Sequence, residues 1–442
     1  MSKHNLISTH LRKEKAFLVG VSFHNKPSFF PVNESLRELS LLANTAGLEV
    51  VGQTSQKLDK PNPSTFIGSG KVGEIRAIVE ELDIDIVVFD EELSPRHLRE
   101  LEEKFGLNVR VIDRTALILD IFALHASTAE GKLQVELAQY EYLLPRLTRA
   151  WTHLARQAGG GAGRTGGVGG VGLRGPGETQ LEVDRRQIRN KIIFLQDEIE
   201  KIRLHRKQYR QMRKKSHIPI IALVGYTNAG KSTLLNRLTR SNVYIANQLF
   251  ATLDPTTRRY DLLNDNIILL TDTVGFIQKL PTQLIASFRA TLEEINEADL
   301  LIHIVDITHP AAVLQWTSVN NTLSEIHAEN IPMITVLNKS DRKNEYSTDN
   351  SNLPEFSKAI SISALQGYGI NDLLNSLREE LFETYVPLEV YLPYGQGQLI
   401  STFHQSGQIE IIEHGINEVL IKGSLPGRLI SRFQPFIKKK KR

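Results

Sequence analysis

The rhythm of apolar and polar positions changes several times along this chain. From about residue 15 to 115, short apolar runs alternate with segments of helical spacing. Ala16–Phe23, Leu48–Thr54, Ile84–Phe89 and Val109–Asp113 read as strands. Between them, Asn33–Thr45, Val72–Leu82 and Pro95–Phe105 follow the period of a helix with one buried face. Such alternation predicts a small parallel sheet with crossover helices.

A heptad rhythm follows. Leu133, Leu137, Tyr140, Leu144, Leu147, Trp151 and Leu154 recur at spacings of four and three. Leu181, Ile188, Ile192, Leu195, Ile199, Ile202 and Tyr209 keep the same frame, interrupted by Arg185 and Arg206. A seam at 3.5-residue spacing buries best against a partner helix, so an antiparallel helical hairpin is expected. A helix of about 25 residues would run about 38 Å. Capping boxes are expected at Ser127 with Glu130 and at Thr179 with Glu182. Pro145 should kink the first helix. The break between the helices, Arg156–Gly177, holds eleven glycines, three arginines and no acidic residue. That composition predicts a slim, mobile, positively charged tip. After Lys215 strands and helices alternate again, and Val386–Arg442 reads as a small α/β appendage ending in the basic run Lys438–Arg442.

Composition narrows the class. The 442 residues are enough for about three domains. There is no cysteine, which excludes disulfides and thiolate metal sites and suits a reducing cytosol. Met1–Lys15 lacks the apolar core of a signal peptide, and no apolar run reaches the roughly 18 residues of a bilayer span. The net charge of +3 says little as a total.

Chemistry enters after the apolar strand Ile218–Val224. Gly225, Tyr226, Thr227, Asn228, Ala229, Gly230, Lys231, Ser232 and Thr233 satisfy G-x-x-x-x-G-K-[ST], with a helix at Leu234–Leu238. Glycines let backbone N–H groups converge on phosphate oxygens, and a helix N-terminus adds favourable partial charge. Lys231 would supply a cation between the β- and γ-phosphates, and Ser232 a hydroxyl to Mg²⁺. Asp272, Thr273, Val274 and Gly275 follow the strand Ile267–Leu270. Asp272 would hold Mg²⁺ through water, and the Gly275 N–H would reach the γ-phosphate. Asn338, Lys339, Ser340 and Asp341 follow Met333–Leu337. An aspartate there accepts from the guanine N1–H and exocyclic amine, a donor pair that adenine lacks. Ser363, Ala364 and Leu365 close the set, with backbone expected against the base. Four such segments in this order at strand C-terminal ends predict a GTP-binding P-loop domain. Between the first two lie Phe250, Ala251, Thr252, Leu253 and Asp254, with Thr252 the expected switch residue over Mg²⁺ and γ-phosphate and Thr256 and Thr257 as alternatives.

The catalytic reading rests on Lys231, Thr252 and Gly275. Many small GTPases orient the attacking water with a glutamine after D-x-x-G; here that position is Phe276. Hydrolysis is therefore expected to be slow alone. Help would come from a partner surface or from K⁺ held by Asn228, because G-x-x-N-x-G-K-S resembles the loop of potassium-activated G proteins. A weaker feature, Gly68–Gly73 with Asp90 about twenty residues on, also fits a dinucleotide fingerprint; a tight turn capping a helix is the plainer reading. His153, His205 and His303 read as structural or surface residues. Residues 185–215 hold twelve Lys/Arg against three Asp/Glu, the footprint of a phosphate-backbone partner. Few aromatics interleave, which favours shape recognition of structured RNA over base stacking.

The segments Phe66–Lys71, Asp113–Asp120, Gly175–Arg186, Gly225–Ser232 and Leu249–Arg258 together closely resemble the HflX family, bacterial ribosome-associated GTPases. The resemblance runs from about residue 15 to 385. It implies an α/β fold: a small parallel N-terminal domain with a long helical hairpin, a P-loop G domain with a mostly parallel sheet, and here a small C-terminal α/β appendage. The expected boundaries are 1–125, 126–215, 216–385 and 386–442. It also implies binding to the 50S ribosomal subunit and its rRNA, and splitting of stalled or idle ribosomes under stress such as heat. Nucleotide contacts are carried to Gly225–Ser232, Phe250–Asp254, Asp272–Gly275, Asn338–Asp341 and Ser363–Leu365, and Mg²⁺ to Ser232 and Thr252. The expected partners are GTP and GDP, with no DNA, no membrane insertion and a monomeric chain. Two rival readings are an RNA-binding assembly or storage factor that keeps GTP as a structural ligand, and an ATP-driven rRNA remodeller acting through Gly68–Gly73.

Overall fold

The computed structural model describes residues 12–25, 29–106, 108–147, 180–215, 218–239, 249–250, 255–262, 266–279, 294–345, 354–381, 385–415, 418–426 and 429–437. The chain forms two compact units, Met1–Tyr368 and Gly369–Arg442.

The first unit opens with β1 (Lys15–Phe23), α1 (Val32–Thr45), β2 (Glu49–Leu58), α2 (Ser69–Leu82), β3 (Ile86–Phe89), α3 (Pro95–Phe105) and β4 (Arg110–Asp113). Their four strands pair in parallel in the order β2-β1-β3-β4. Every residue of β3 is buried, as a strand covered on both faces should be. One face packs on α1 through Leu36, Leu39 and Leu42. The other packs on α2 and α3 through Ile75, Val79, Leu98 and Leu101. At the start of α3 Pro95 follows a capping box in which the Ser94 hydroxyl accepts from the His97 N–H. A further helix, α4 (Arg114–His125), follows β4 directly, its N-terminus capped by the Asp113 carboxylate on the Ala116 N–H.

The hairpin consists of α5 (Ala129–Leu143) and α6 (Gln180–Lys215). Leu137 packs with Ile192 and Leu195, and Lys191 pairs with Glu136 at 3.1 Å. Arg185 donates to the Leu147 carbonyl at 3.1 Å, and Arg206 pairs with Glu130 at 2.7 Å, so the helices run antiparallel. The two arginines that interrupt the heptad thus close the two ends of the seam. Two details differ from expectation. The cap of α5 is Thr128, whose hydroxyl accepts from the Gly131 N–H, rather than Ser127. Pro145 ends α5 instead of kinking it: the chain tightens into a 3₁₀ turn at Leu144–Arg146. Trp151, Thr179 and the glycine-rich tip lie outside the described residues.

The G domain is a six-stranded sheet in the order β10-β9-β8-β5-β7-β6. It comprises β5 (Ile220–Gly225), α7 (Lys231–Thr239), β6 (Thr256–Leu262), β7 (Asn266–Asp272), β8 (Leu300–Asp306), α8 (Ala312–Glu325), β9 (Met333–Asn338) and β10 (Ile360–Ser361). All neighbours are parallel except β6 with β7. The central β5 is buried from Ile221 to Gly225, so the chain leaves the core at the phosphate loop.

The second unit starts with a helix at Ile370–Leu381, followed by β11 (Tyr385–Pro393), β12 (Gln408–His414) and β13 (Glu418–Pro426). These strands form an antiparallel sheet ordered β11-β13-β12. A helix at Gly397–Ser406 closes its core, where Val390, Leu392, Phe403, Ile421 and Phe433 are fully or almost fully buried. The α/β fold read from the sequence is the fold observed. Among the described residues, no helix is long and apolar enough to cross a membrane.

Candidate functional site

The C-terminal ends of β5, β7 and β9 bring together the segments expected to hold nucleotide. Lys231 is 6% exposed, and its ammonium donates to the Gly225 carbonyl at 3.0 Å and the Tyr226 carbonyl at 2.9 Å. Burial pulls its pKa down to about 8, against the partial support of Asp272. The Ser232 hydroxyl donates to Asp272 Oδ2 at 2.6 Å. Two hard oxygen ligands expected for Mg²⁺ therefore meet beside the phosphate loop, a donor set that suits this ion. Among the described residues no group of three or more His, Asp or Glu could enclose a metal alone. Mg²⁺ bound mainly by phosphates and one or two protein oxygens needs none.

Switch-region backbone is strapped to this loop. Phe276 N–H donates to the Gly225 carbonyl at 3.1 Å, and Thr227 N–H donates to the Phe276 carbonyl at 2.8 Å. A Cβ added at Gly275 would lie 2.7 Å from Thr227 Cγ2 and 3.1 Å from Lys231 Nζ, so only glycine fits there. The Phe276 ring is 2% exposed and belongs to a buried hydrophobic cluster that also holds the phosphate-loop residue Tyr226.

Asn338 bridges two segments. Its amide donates to the Ala229 carbonyl at 2.8 Å, and its oxygen accepts from the Ala364 N–H at 2.9 Å. Gly230 has φ +100°, and a Cβ there would overlap Asn338 Nδ2. Lys339 pairs with Asp306 at 2.6 Å. Ser340 N–H donates to the Ile362 carbonyl, Ser363 Oγ accepts from the Gln366 N–H, and Asp341 is half-buried in the 3₁₀ turn that follows. Leu365 is 65% exposed beside them. Asn228 has φ +61°, the left-handed conformation that asparagine tolerates. Ala251, Thr252, Leu253 and Asp254 lie outside the described residues; Thr256 and Thr257 begin β6.

Contacts that the sequence did not announce join this loop to the N-terminal domain. The Tyr226 hydroxyl donates to Glu38 Oε2 at 2.5 Å and accepts from the Gln278 N–H at 2.9 Å. Arg114 is 1% exposed and pairs with both Glu38 and Asp90, the latter at 2.7 Å. Asp90 also takes Lys279 at 2.5 Å and the Ser35 hydroxyl at 2.5 Å. Burial works to raise the Asp90 pKa, but Arg114 and Lys279 outweigh it and hold the group below its ordinary range. Burial wins at Glu38 and pushes it up. Phe250 packs edge-on against Phe122 of α4 at 4.6 Å. A small, partly open pocket of about 70 Å³ lies between α1 and the phosphate loop, lined in part by Arg37, Glu38, Tyr226, Thr227 and Asn228.

The Gly68–Gly73 fingerprint looks different in three dimensions. The Gly68 N–H is taken by Gln56 at 3.0 Å, and Lys71 pairs with Glu74 at 2.7 Å. Asp90, its expected ribose partner, is enclosed by Arg114 and Lys279, which corrects that part of the dinucleotide reading. His303 is structural: it is 1% exposed, stacks on Trp316 and is pulled by burial to a pKa of about 3.

Three family descriptions match in sequence order. Residues 33–123 match "GTP-binding GTPase N-terminal", 125–213 "GTP-binding GTPase Middle Region" and 220–339 "50S ribosome-binding GTPase". GTPase HflX of Escherichia coli K12 is 44% identical over 401 residues, covering 90% of each chain. GTPase HflX of Alkalihalophilus pseudofirmus is 42% identical over 430 residues, covering 94% of this chain and 97% of its own. A GTP-binding protein from Sulfolobus solfataricus, solved in complex with GDP, superimposes with a TM-score of 0.43 at 25% identity, covering 83% of this chain and 98% of that one.

Proposed function

This chain belongs to the HflX family of GTPases, and from that premise we propose that it binds the 50S ribosomal subunit and uses its GTP cycle to dissociate stalled or idle ribosomes under stress such as heat. One observation carries the reading. The phosphate-loop residue Tyr226 and the switch residues Gln278 and Lys279 are hydrogen-bonded into the same domain that bears the hairpin. A change at the γ-phosphate would then be felt where RNA is expected to dock, and a GTP-dependent contact needs such a link.

In this reading Gly225–Thr233 hold the phosphates and Lys231 carries charge to the β- and γ-phosphates. Gly275 N–H meets the γ-phosphate, and Asp341 selects guanine with Ser363, Ala364 and Leu365 beside the base. Ser232, Thr252 and a water on Asp272 would hold Mg²⁺, whose bound charge offsets that developing on the phosphate oxygens. Phe276 brings no polar group to the water, so turnover is slow alone and rises on ribosomes. Asn228 is the residue proposed to hold K⁺.

Cosedimentation with 50S and 70S particles tests the proposal. Tighter 50S binding with GTP or a non-hydrolysable analogue than with GDP, and conversion of 70S particles to subunits, are expected. Equal pelleting in all three states would refute nucleotide control; binding with intact 70S particles would refute splitting. Deleting Gly159–Gly172 should weaken the 50S interaction while leaving GDP affinity intact.

A further inference from the structure

The established chemistry is GTP hydrolysis, yet the position that commonly presents a water-orienting glutamine is filled by Phe276, with its ring turned into the core. Some other group must face the reacting atoms. Thr227 is the third residue of the phosphate loop and 7% exposed. Its Oγ1 is buried and has no hydrogen-bond partner among the described residues. A buried hydroxyl left unpaired is costly and calls for an explanation.

Its surroundings supply one. The Thr227 backbone is fixed by the bond from its N–H to the Phe276 carbonyl. A Cβ added at Gly275 would lie 2.7 Å from the Thr227 methyl, 2.9 Å from Thr227 Cα and 3.1 Å from Lys231 Nζ, so Thr227 and Lys231 both border the same face of this glycine. The hydroxyl is therefore carried by a residue that borders Gly275 together with Lys231, the two groups expected to meet the γ-phosphate. Arg114 Nε, Arg146 Nε, His303 Nδ1 and Trp316 Nε1, which share this condition, lie outside the nucleotide site.

We propose that Thr227 Oγ1 is a catalytic group that takes over part of the missing glutamine's work: it accepts a hydrogen bond from the attacking water and donates its own proton to a γ-phosphate oxygen. The inference rests on the GTPase reading of this site. In the step it serves, the water oxygen bonds to the γ-phosphorus and the bond to the β–γ bridging oxygen breaks. The electron pair leaves with GDP, and the water proton ends on the released phosphate. Thr227 neither gains nor loses a proton overall.

The test is single-turnover hydrolysis by the full-length protein at saturating GTP, with GTP-analogue and GDP affinities measured beside it. Thr227→Val keeps the shape and removes the hydroxyl; Thr227→Ser keeps the hydroxyl and removes the methyl. The valine variant should hydrolyse GTP about ten- to a hundredfold more slowly with both affinities within about threefold of wild type. The serine variant should recover most of the rate. Thr227→Ala reports the same loss should the valine variant fold poorly. Wild-type turnover by Thr227→Val, equal slowing in the serine and valine variants, or parallel loss of rate and affinity would each overturn the proposal. Absence of turnover in the wild-type protein would instead strike the GTPase reading itself.

Discussion

Replacing Arg114 with methionine removes a buried cation that faces both Glu38 and Asp90. Arg114 is 1% exposed, Asp90 2% and Glu38 12%, so water cannot take its place. Lys279 still faces Asp90, but among the described residues Glu38 keeps only the Tyr226 hydroxyl. Removing one partner of a buried pair costs about 3–5 kcal/mol, because the remaining charge is stranded. At roughly 2 °C per kcal/mol for a large unit, the melting temperature should fall by about 6–10 °C. The loss should depend on pH. Burial already pushes Glu38 up, and without Arg114 its folded pKa rises further above the unfolded value. The folded state then binds more protons than the unfolded one between those two values, so stability falls as pH rises through that window. The deficit should be larger at about pH 8 than at about pH 5. Circular dichroism melts at both pH values measure it. Adding Glu38→Gln should restore part of the stability, a coupling of about 1–3 kcal/mol. A single variant melting within about 2 °C of wild type at pH 8, or a deficit that grows as pH falls, would refute the reasoning.

Other outcomes follow from the same structure. Gly230→Ala should weaken GDP binding roughly ten- to a hundredfold in a fluorescent-nucleotide titration, because φ is +100° and the new methyl meets Asn338. Asp341→Asn should cut the preference for guanine over adenine nucleotides by about a hundredfold or more in competition assays, since two charge-assisted hydrogen bonds are altered. Nucleotide affinity should decline as pH rises above about 8: Lys231 has a pKa of about 8 in the free site, phosphate raises it, and binding then takes up a proton. A flat affinity up to about pH 9.5 would exclude that linkage. Hydrolysis should be several-fold faster in K⁺ than in Na⁺ if Asn228 holds the ion; equal rates at matched ionic strength would dismiss it.

Much of the architecture was legible because it repeats. The strands β1 and β3, the helix at Pro95–Phe105 and the seam through Leu137 and Leu195 all announce themselves by period, and the phosphate loop by its glycines. The network around Arg114 does not. Arg114 lies 76 residues from Glu38 in sequence, and Tyr226 lies 188 from it, so no local pattern links them. Asp90 even suggested a ribose ligand, because its spacing from Gly68 was right while its burial was unknown. The cap at Thr128 beat Ser127 for a local reason: both residues can accept, and one register decides which hydroxyl meets an N–H. Signal for the hidden network existed only in residue type: a strand-end aspartate and a following arginine within apolar surroundings call for partners.

The bridge made by Asn338 has a further consequence. One short amide side chain is bolted to the loop that should cradle phosphate and to the turn that should frame the purine. Discrimination among bases and grip on the phosphate chain therefore share a mechanical part. A nucleotide that seats its ring badly would also loosen the hold on its own tail, so poor substrates would leave quickly as well as arrive weakly.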